Sequence, residues 1–388
     1  MIKILENSLL LRKLSSRLIT CIRSNKSIKI KLKKLGIIGG DVWAVNKAED
    51  QYKELYAKYS VNFESLIKSD KQKVGLIALQ DDEANVYFKK SCRELKLDYE
   101  IFDPVDEAFI EKIKSSDIQS FLVRPSHKTQ LFRQMFLEKI DMVANELGKE
   151  IYPTFKEQKI YEAKRSLAYF LQTNNIPHPK TWVFYNKEQA MNFVENAPLP
   201  IVFKTHNGAG ASGVEIVKTK KQAMALIKTS FDSYYLNKAI TDFRDIDYGY
   251  VLFQEFIEGA REHRIIKIGE SWIGHEKALN GTSEFMSGSG INLWTCPTNE
   301  ILDFCREIAE KHNFTTMCFD IFEDKHGNFY VNELQTWFGS YNPSQMYIDG
   351  VPGRLVYKDN EYRFEEGLFN HNGSVSLRLV DILNYKRN

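Results

Sequence analysis

VFKTHNGAGASGVEIV, residues 202–217, decides how the chain is read. An apolar strand ends at Lys204. A loop with three glycines (Gly208, Gly210, Gly213) and Ser212 follows, and a second short strand runs from Val214 to Lys218. Small residues let backbone N–H groups approach phosphate oxygens, and a lysine at the strand end supplies countercharge. No GK[ST] opens a helix here, so the loop is not a Walker loop. A merely flexible turn is the competing reading of such a glycine-rich hairpin.

Working outward, residues 151–345 read as α+β with antiparallel strands. A helix over Glu162–Thr173 stops before Pro177 and Pro179, which cannot continue it. Strands are expected at Thr181–Phe184, Tyr250–Phe256, Arg264–Ile268 and Trp272–Lys277, and a helix at Thr298–His312. A hairpin then pairs Cys318–Phe322 with Asn328–Leu334. Glu333 and Gln335 are two apart on one strand and share a face, and Asp320 can sit opposite them. Two carboxylates and an amide oxygen are hard ligands suited to Mg²⁺. A solvated face is the alternative, but FDIF and YVNELQTWF are mostly apolar, and buried acids without cations are costly.

Towards the N-terminus the pattern is different. Strands at Lys73–Leu79, Asp98–Asp103 and Ile118–Pro125 alternate with helices at Glu83–Leu95 and Leu131–Leu147. That alternation predicts an open parallel α/β sheet over residues 35–150. Gly36, Gly39 and Gly40 do not make a GxGxxG fingerprint and read as turn glycines. Residues 346–388 are expected to hold a hairpin over Arg354–Phe364 and a short tail.

The chain has 388 residues and a formal charge of +2. Ten of its 53 basic and one of its 51 acidic side chains fall in residues 1–34, a segment charge of +9; the remaining 43 and 50 leave −7. The leader combines an amphipathic helical pattern with a lysine-alternating strand, SIKIKLKKL. Such a helix can lie on an anionic membrane surface, or pack on its own domain with a solvated rim. Its cations are not interleaved with aromatics, so nucleic acid is not an expected partner. Five cysteines without a CxxC pair exclude a disulfide framework or structural zinc as the organising device and suit a reducing compartment. A cytoplasmic location is expected, with the leader at the inner face of the membrane.

In order, the chain carries Lys164, IPHPKT (176–181), VFK with its glycine loop, QEFIEG with EHR (254–264), and FDIFED with VNELQ (319–335). This order resembles the ATP-grasp superfamily, as in glutathione synthetase, D-alanine–D-alanine ligase and the ribosomal-protein glutamate ligases, over roughly residues 120–340. IYPTFKEQKIYEAK, SEFMSGSG and GLFNHNGSVSLRL are further similar to ATP-grasp proteins of bacterial surface-polysaccharide synthesis. The resemblance implies ATP and Mg²⁺. Lys164 and Lys204 would contact phosphates, with Lys204 also near adenine, and Gly208, Gly210, Ser212 and Gly213 would close over them. Gln254, Glu255, Phe256 and Ile257 match the adenine hinge, and Glu262 the ribose acid. Arg264 matches a cation at the phosphates or the acyl phosphate. Asp320 and Glu333 match metal carboxylates, with Gln335 where the family has asparagine. A family arginine expected near residue 278 is absent, and Lys277 is the nearest cation.

The implied reaction activates a carboxylate as an acyl phosphate and captures it with an amine. The alternatives are phosphorylation of a hydroxyl on the same scaffold, and a non-catalytic nucleotide-binding scaffold for glycan assembly. Expected partners are a small-molecule or glycan carboxylate, an amine, and a second copy of the chain as a homodimer. For substrate, Arg124 follows a strand whose carboxyl end is a usual ligand position, or it pairs with a surface acid. Ser287 and Ser289 offer hydroxyls or are plain loop. Ser340 and Asn342 follow the metal strand directly. His206, beside the glycine loop, either touches phosphate or is an ordinary loop histidine.

Overall fold

The computed structural model describes residues 52–70, 73–80, 82, 84–125, 129–206, 213–233, 247–279, 291–338 and 342–384. The chain divides into two units after Lys58. In the first, the described part belongs to helix α1 (Lys53–Tyr59). The other described residues belong to the second unit, from Tyr59 onward.

The parallel sheet is present. Strands β1 (Lys73–Ile77), β2 (Asp98–Phe102), β3 (Ser120–Val123) and β4 (Glu150–Tyr152) lie in the order β2-β1-β3-β4, all parallel. Between them run α2 (Ala84–Glu94), α3 (Phe109–Ser115) and α4 (Gln130–Asp141). The central strands β1 and β3 are buried almost throughout, as in a parallel sheet covered on both faces, while β2 at the edge leaves Asp98 and Glu100 exposed. Gly75 on β1 is required by packing, since a Cβ there would lie 2.3 Å from the Phe121 ring on β3. The long helix expected to reach Leu147 instead loosens into a π-helical turn, Met142–Glu146, before Gly148 turns the chain at φ +64° into β4. Sequence periodicity does not register β4, which extends this sheet to Tyr152.

Helices α5 (Phe155–Ile160) and α6 (Lys164–Thr173) lead into a small antiparallel sheet. It comprises β5 (Thr181–Phe184), β6 (Ile201–Lys204), β7 (Val214–Val217) and β8 (Val251–Glu255), ordered β5-β8-β6-β7. Phe203 and Phe253 pack beneath α7 (Lys187–Glu195) and α8 (Lys220–Asp232) in a core of their own with Val194 and Ile227. Thr219 and Gln222 form a capping box that starts α8.

The largest sheet holds β9 (Arg261–Ile268), β10 (Ser271–Ala278), β11 (Ile291–Leu293), β12 (Thr316–Glu323), β13 (Phe329–Gln335), β14 (Tyr347–Ile348), β15 (Val351–Lys358) and β16 (Glu361–Glu366). Its path is β13-β12-β9-β10-β15-β14, with β11 on β10 and β16 on β15, and every pairing is antiparallel. Helix α9 (Asn299–His312) buries Ile301, Leu302, Cys305 and Ile308.

The C-terminal region is more than a tail. Its hairpin β15–β16 extends the large sheet through β10. A last helix, α10 (Val375–Asn384), packs against α2, β3 and β9. One continuous core therefore runs from Val74 and Leu76 through Leu377 and Leu379 to Phe319 and Val331.

Candidate active site

The ladder register gathers the charged residues of the large sheet. Glu262 and Arg264 alternate along β9; Lys277 lies opposite Glu262 on β10, Asp320 opposite Arg264 on β12, and Glu333 opposite Asp320 on β13. Facing pairs in adjacent strands project from the same side. Five charged side chains thus share one face.

Asp320 is the hub of that face. Arg264 binds it with two parallel bonds, Nε to Oδ1 and Nη2 to Oδ2, both 2.9 Å. Lys277 Nζ lies 3.0 Å from Asp320 Oδ1 and 2.5 Å from Glu262 Oε1. Burial would raise the Asp320 carboxyl, but Arg264 and Lys277 outweigh it and hold the pKa well below the usual range. Lys277, the nearest cation to the missing family arginine, is raised despite its burial by Asp320 and Glu262.

Two lysines come from the facing elements. Lys204, at the end of β6, donates to Asn332 Oδ1 at 2.9 Å. Lys164, first residue of α6, has its Nζ 3.9 Å from Glu333 Oε1. A bulge explains why neighbouring residues serve both lysines. The β12–β13 register shifts between Asp320 and Ile321, pairing Asp320 with Glu333 but Ile321 with Val331. Asn332 is the extra residue, and the bulge re-aims it. Strict alternation would set Asn332 and Glu333 on opposite faces, and for that reason the sequence reading passes over Asn332. Gln335 keeps its place beside Glu333, its amide nitrogen donating to Oε2 at 2.9 Å.

Next to the lysines lies a pocket lined by Lys164, Ala168, Thr181, Lys204, Leu252 and Gln254, among others. Gln254 Nε2 donates to Thr181 Oγ1 at 3.0 Å. Glu255 faces out and accepts from the Lys180 backbone N–H at 3.1 Å; Phe256 and Ile257 are half-buried beyond it. Burial brings the Lys204 ammonium down to about 8 from 10.5. Between those values the folded state binds fewer protons than the unfolded chain, so nucleotide-free stability is expected to rise with pH across that window. A polyanion bound beside Lys204 favours its charged form. Its binding should therefore take up a proton near pH 8 and weaken as pH rises further, which calorimetry in buffers of different ionisation enthalpy measures.

The mouth of the glycine loop is anchored. His206 is buried, and its Nδ1 accepts the Arg165 N–H at 3.3 Å, at the start of α6. Its own N–H donates to Tyr250 Oη and Asp247 Oδ2 at 3.0 and 3.2 Å. Burial and Arg165 hold the ring neutral, with a pKa of about 3. His206 is therefore neither an exposed loop histidine nor a cation for phosphate. Gly213 closes the loop through its carbonyl, which accepts from Thr205 N–H at 2.9 Å. Gly208, Gly210, Ser212, Ser287, Ser289 and Ser340 lie outside the described residues. The Asn342 carbonyl accepts from Asn370 at 2.5 Å. Arg124 is buried, 3.5 Å from Asp82 and stacked on Trp337. Glu162, expected to open the helix that in fact begins at Lys164, lies outside it. It sits at φ +50°, its carboxyl raised by burial against the pull of Lys164.

Among the described residues no group of three or more His, Cys, Asp or Glu could hold a metal by itself. The Asp320 and Glu333 carboxylates do stand in register, with the Gln335 amide alongside. Hard oxygen donors of this kind fit Mg²⁺, which keeps several waters and takes one or two protein carboxylates.

A small antiparallel sheet ending in a lysine, a larger antiparallel sheet bearing acids, and a pocket lined by both lysines make up an architecture of the ATP-grasp class. Residues 162–339 match the RimK-like ATP-grasp domain, and this part of the chain carries the ATP-grasp assignment. Similar solved structures include an ATP-grasp RimK domain protein from Sphaerobacter thermophilus (14% identity, 68% of this chain, 90% of that one, TM-score 0.48). N5-carboxyaminoimidazole ribonucleotide synthetase from Thermotoga maritima is 18% identical over 68% of each chain (TM-score 0.46). D-alanine–D-alanine ligase from Bacillus anthracis is 15% identical over 68% of this chain and 86% of that one (TM-score 0.47). No curated protein matches the chain significantly.

Proposed function

We propose that this chain is an ATP- and Mg²⁺-dependent carboxylate–amine ligase. The observation that carries the reading is the convergence of Lys164, Lys204, Arg264 and Lys277 with Glu262, Asp320 and Glu333 beside a pocket of mixed apolar and polar lining. In this reading Gln254 and its neighbours take the adenine, Glu262 the ribose, and Lys164 and Lys204 the phosphates. Asp320 and Glu333 would hold Mg²⁺, with Gln335 alongside; when bound, the ion supplies charge neutralisation at the transferring phosphoryl group. Arg264 fixes the Asp320 carboxylate and offers positive charge where the substrate carboxylate meets the phosphoryl group. The protein contributes alignment and fixed charge and forms no covalent bond. An amine then captures the activated acyl group, giving an amide and releasing phosphate.

The segments similar to polysaccharide-associated ATP-grasp proteins support a sugar acid or amino acid of surface-glycan synthesis as substrate. The organisation proposed is a leader (1–34), an α/β domain (35–150), the ATP-grasp domain (151–345) and a C-terminal region (346–388). Residues 1–24 lie outside the described residues, and we assign them to an anionic membrane surface. Among the described residues no helix is long and apolar enough to cross a membrane. The test of the function is incubation with ATP, Mg²⁺ and a panel pairing amino acids with sugar acids. Release of phosphate that requires both partners is expected. A stable phosphorylated hydroxyl product would mark a kinase, and the absence of any nucleotide-dependent stabilisation a non-catalytic scaffold.

A further inference from the structure

Arg378 lies in α10, far along the chain from every residue assigned above. It is 1% exposed, and its Nε and Nη1 are buried without a hydrogen-bond partner. A guanidinium taken out of water without such bonds is costly. The acids around it are committed elsewhere. Glu157 is held by Thr154, Thr315 and the Thr316 N–H. Asp381, one turn further along α10, is hydrogen-bonded to Tyr152.

The faces of Arg378 are covered by aromatic rings. Its Cζ lies 4.6 Å from the centroid of Trp337 and 5.4 Å from that of Phe338. A second guanidinium, Arg124, lies 4.9 Å from the centroid of the same indole. Arg124 follows β3, at the carboxyl end of a parallel strand where open α/β sheets receive ligands. Trp337 stands two residues past Gln335, so the indole adjoins the strand end that carries Glu333. Two like charges on one ring repel, and stacking leaves the N–H edge of Arg378 for a planar oxyanion.

We propose that Arg378, with Arg124 and Trp337, binds a carboxylate of the acyl donor other than the one that is activated. The substrate is then at least a dicarboxylate, anchored at one end by the C-terminal helix while its other end reaches the phosphoryl group. The assignment rests on the ligase reading for the substrate's class. It explains why α10 buries a guanidinium whose Nε and Nη1 have no hydrogen-bond partner.

The test uses full-length protein without nucleotide, melted in chloride, in inorganic phosphate and in succinate. Succinate is expected to stabilise the wild type. Arg378→Met should melt close to the wild type in chloride, since it removes an uncompensated buried charge. It should keep its stabilisation by ATP and bind succinate roughly tenfold or more weakly. An equal response to succinate in wild type and variant overturns the proposal, as does no response in the wild type. Stabilisation by phosphate alone overturns the carboxylate assignment. If Arg378→Met does not fold, Arg378→Lys keeps the charge without the planar fork; undiminished succinate binding by that variant is then the contradicting result. Because succinate binding needs no turnover, failure here and failure of the ligase reading, which shows in the response to ATP, are separable.

Discussion

Asp320→Ala is expected to lower stability by about 3–5 kcal/mol and to abolish ATP turnover. The stability loss comes from the cations left behind. Arg264 and Lys277 both lie on this carboxylate, Lys277 and Asp320 are buried, and removing one member of a buried pair strands the other charge in a low-dielectric interior. Chemical denaturation would show a lower midpoint with an unchanged slope. Loss of turnover follows from the proposed metal role. A double variant, Asp320→Ala with Glu333→Ala, that still turned over ATP would contradict that role.

Lys204→Met is expected to do the opposite to the fold and the same to the chemistry. Its ammonium is buried and depressed to about 8, so the folded state bears a desolvation cost that methionine removes. Stability at neutral pH should hold or rise. ATP-dependent kcat/KM should fall about 10²–10³-fold, the loss typical of a single positioned group facing transition-state charge. The two variants together separate a charge that supports the sheet from one that the site itself carries at a cost.

The fold was legible wherever periodicity and punctuation agree. The two strands that flank the glycine loop, the hairpin around Asp320 and Glu333, and the alternating first sheet all stand close to their expected bounds. What escaped did so for physical reasons. Eight of the ten residues of α10 are buried, so VSLRLVDILN has no polar face to betray a helical period. Strand β4 is three residues long and is stabilised as a strand only by pairing with β3. In the site, Lys204, Asp320 and Glu333 are legible from strand and hairpin pattern, Lys164, Gln254, Glu262 and Arg264 from motif order, and Lys277 as the cation nearest a missing family arginine. Asn332 depends on a bulge, Glu162 on a positive φ, and Arg378 on a helix that returns from the far end of the chain. None of those three has a local signature.

The most direct test of the central claim follows oxygen. The carboxylate panel, labelled with ¹⁸O, is incubated with the protein, ATP, Mg²⁺ and amines, and the released phosphate is analysed by mass. If the carboxylate attacks the γ-phosphorus and the amine then displaces phosphate, one labelled oxygen per turnover appears in that phosphate, together with ADP and an amide. Amide formation with unlabelled phosphate, or with AMP and pyrophosphate, would contradict it.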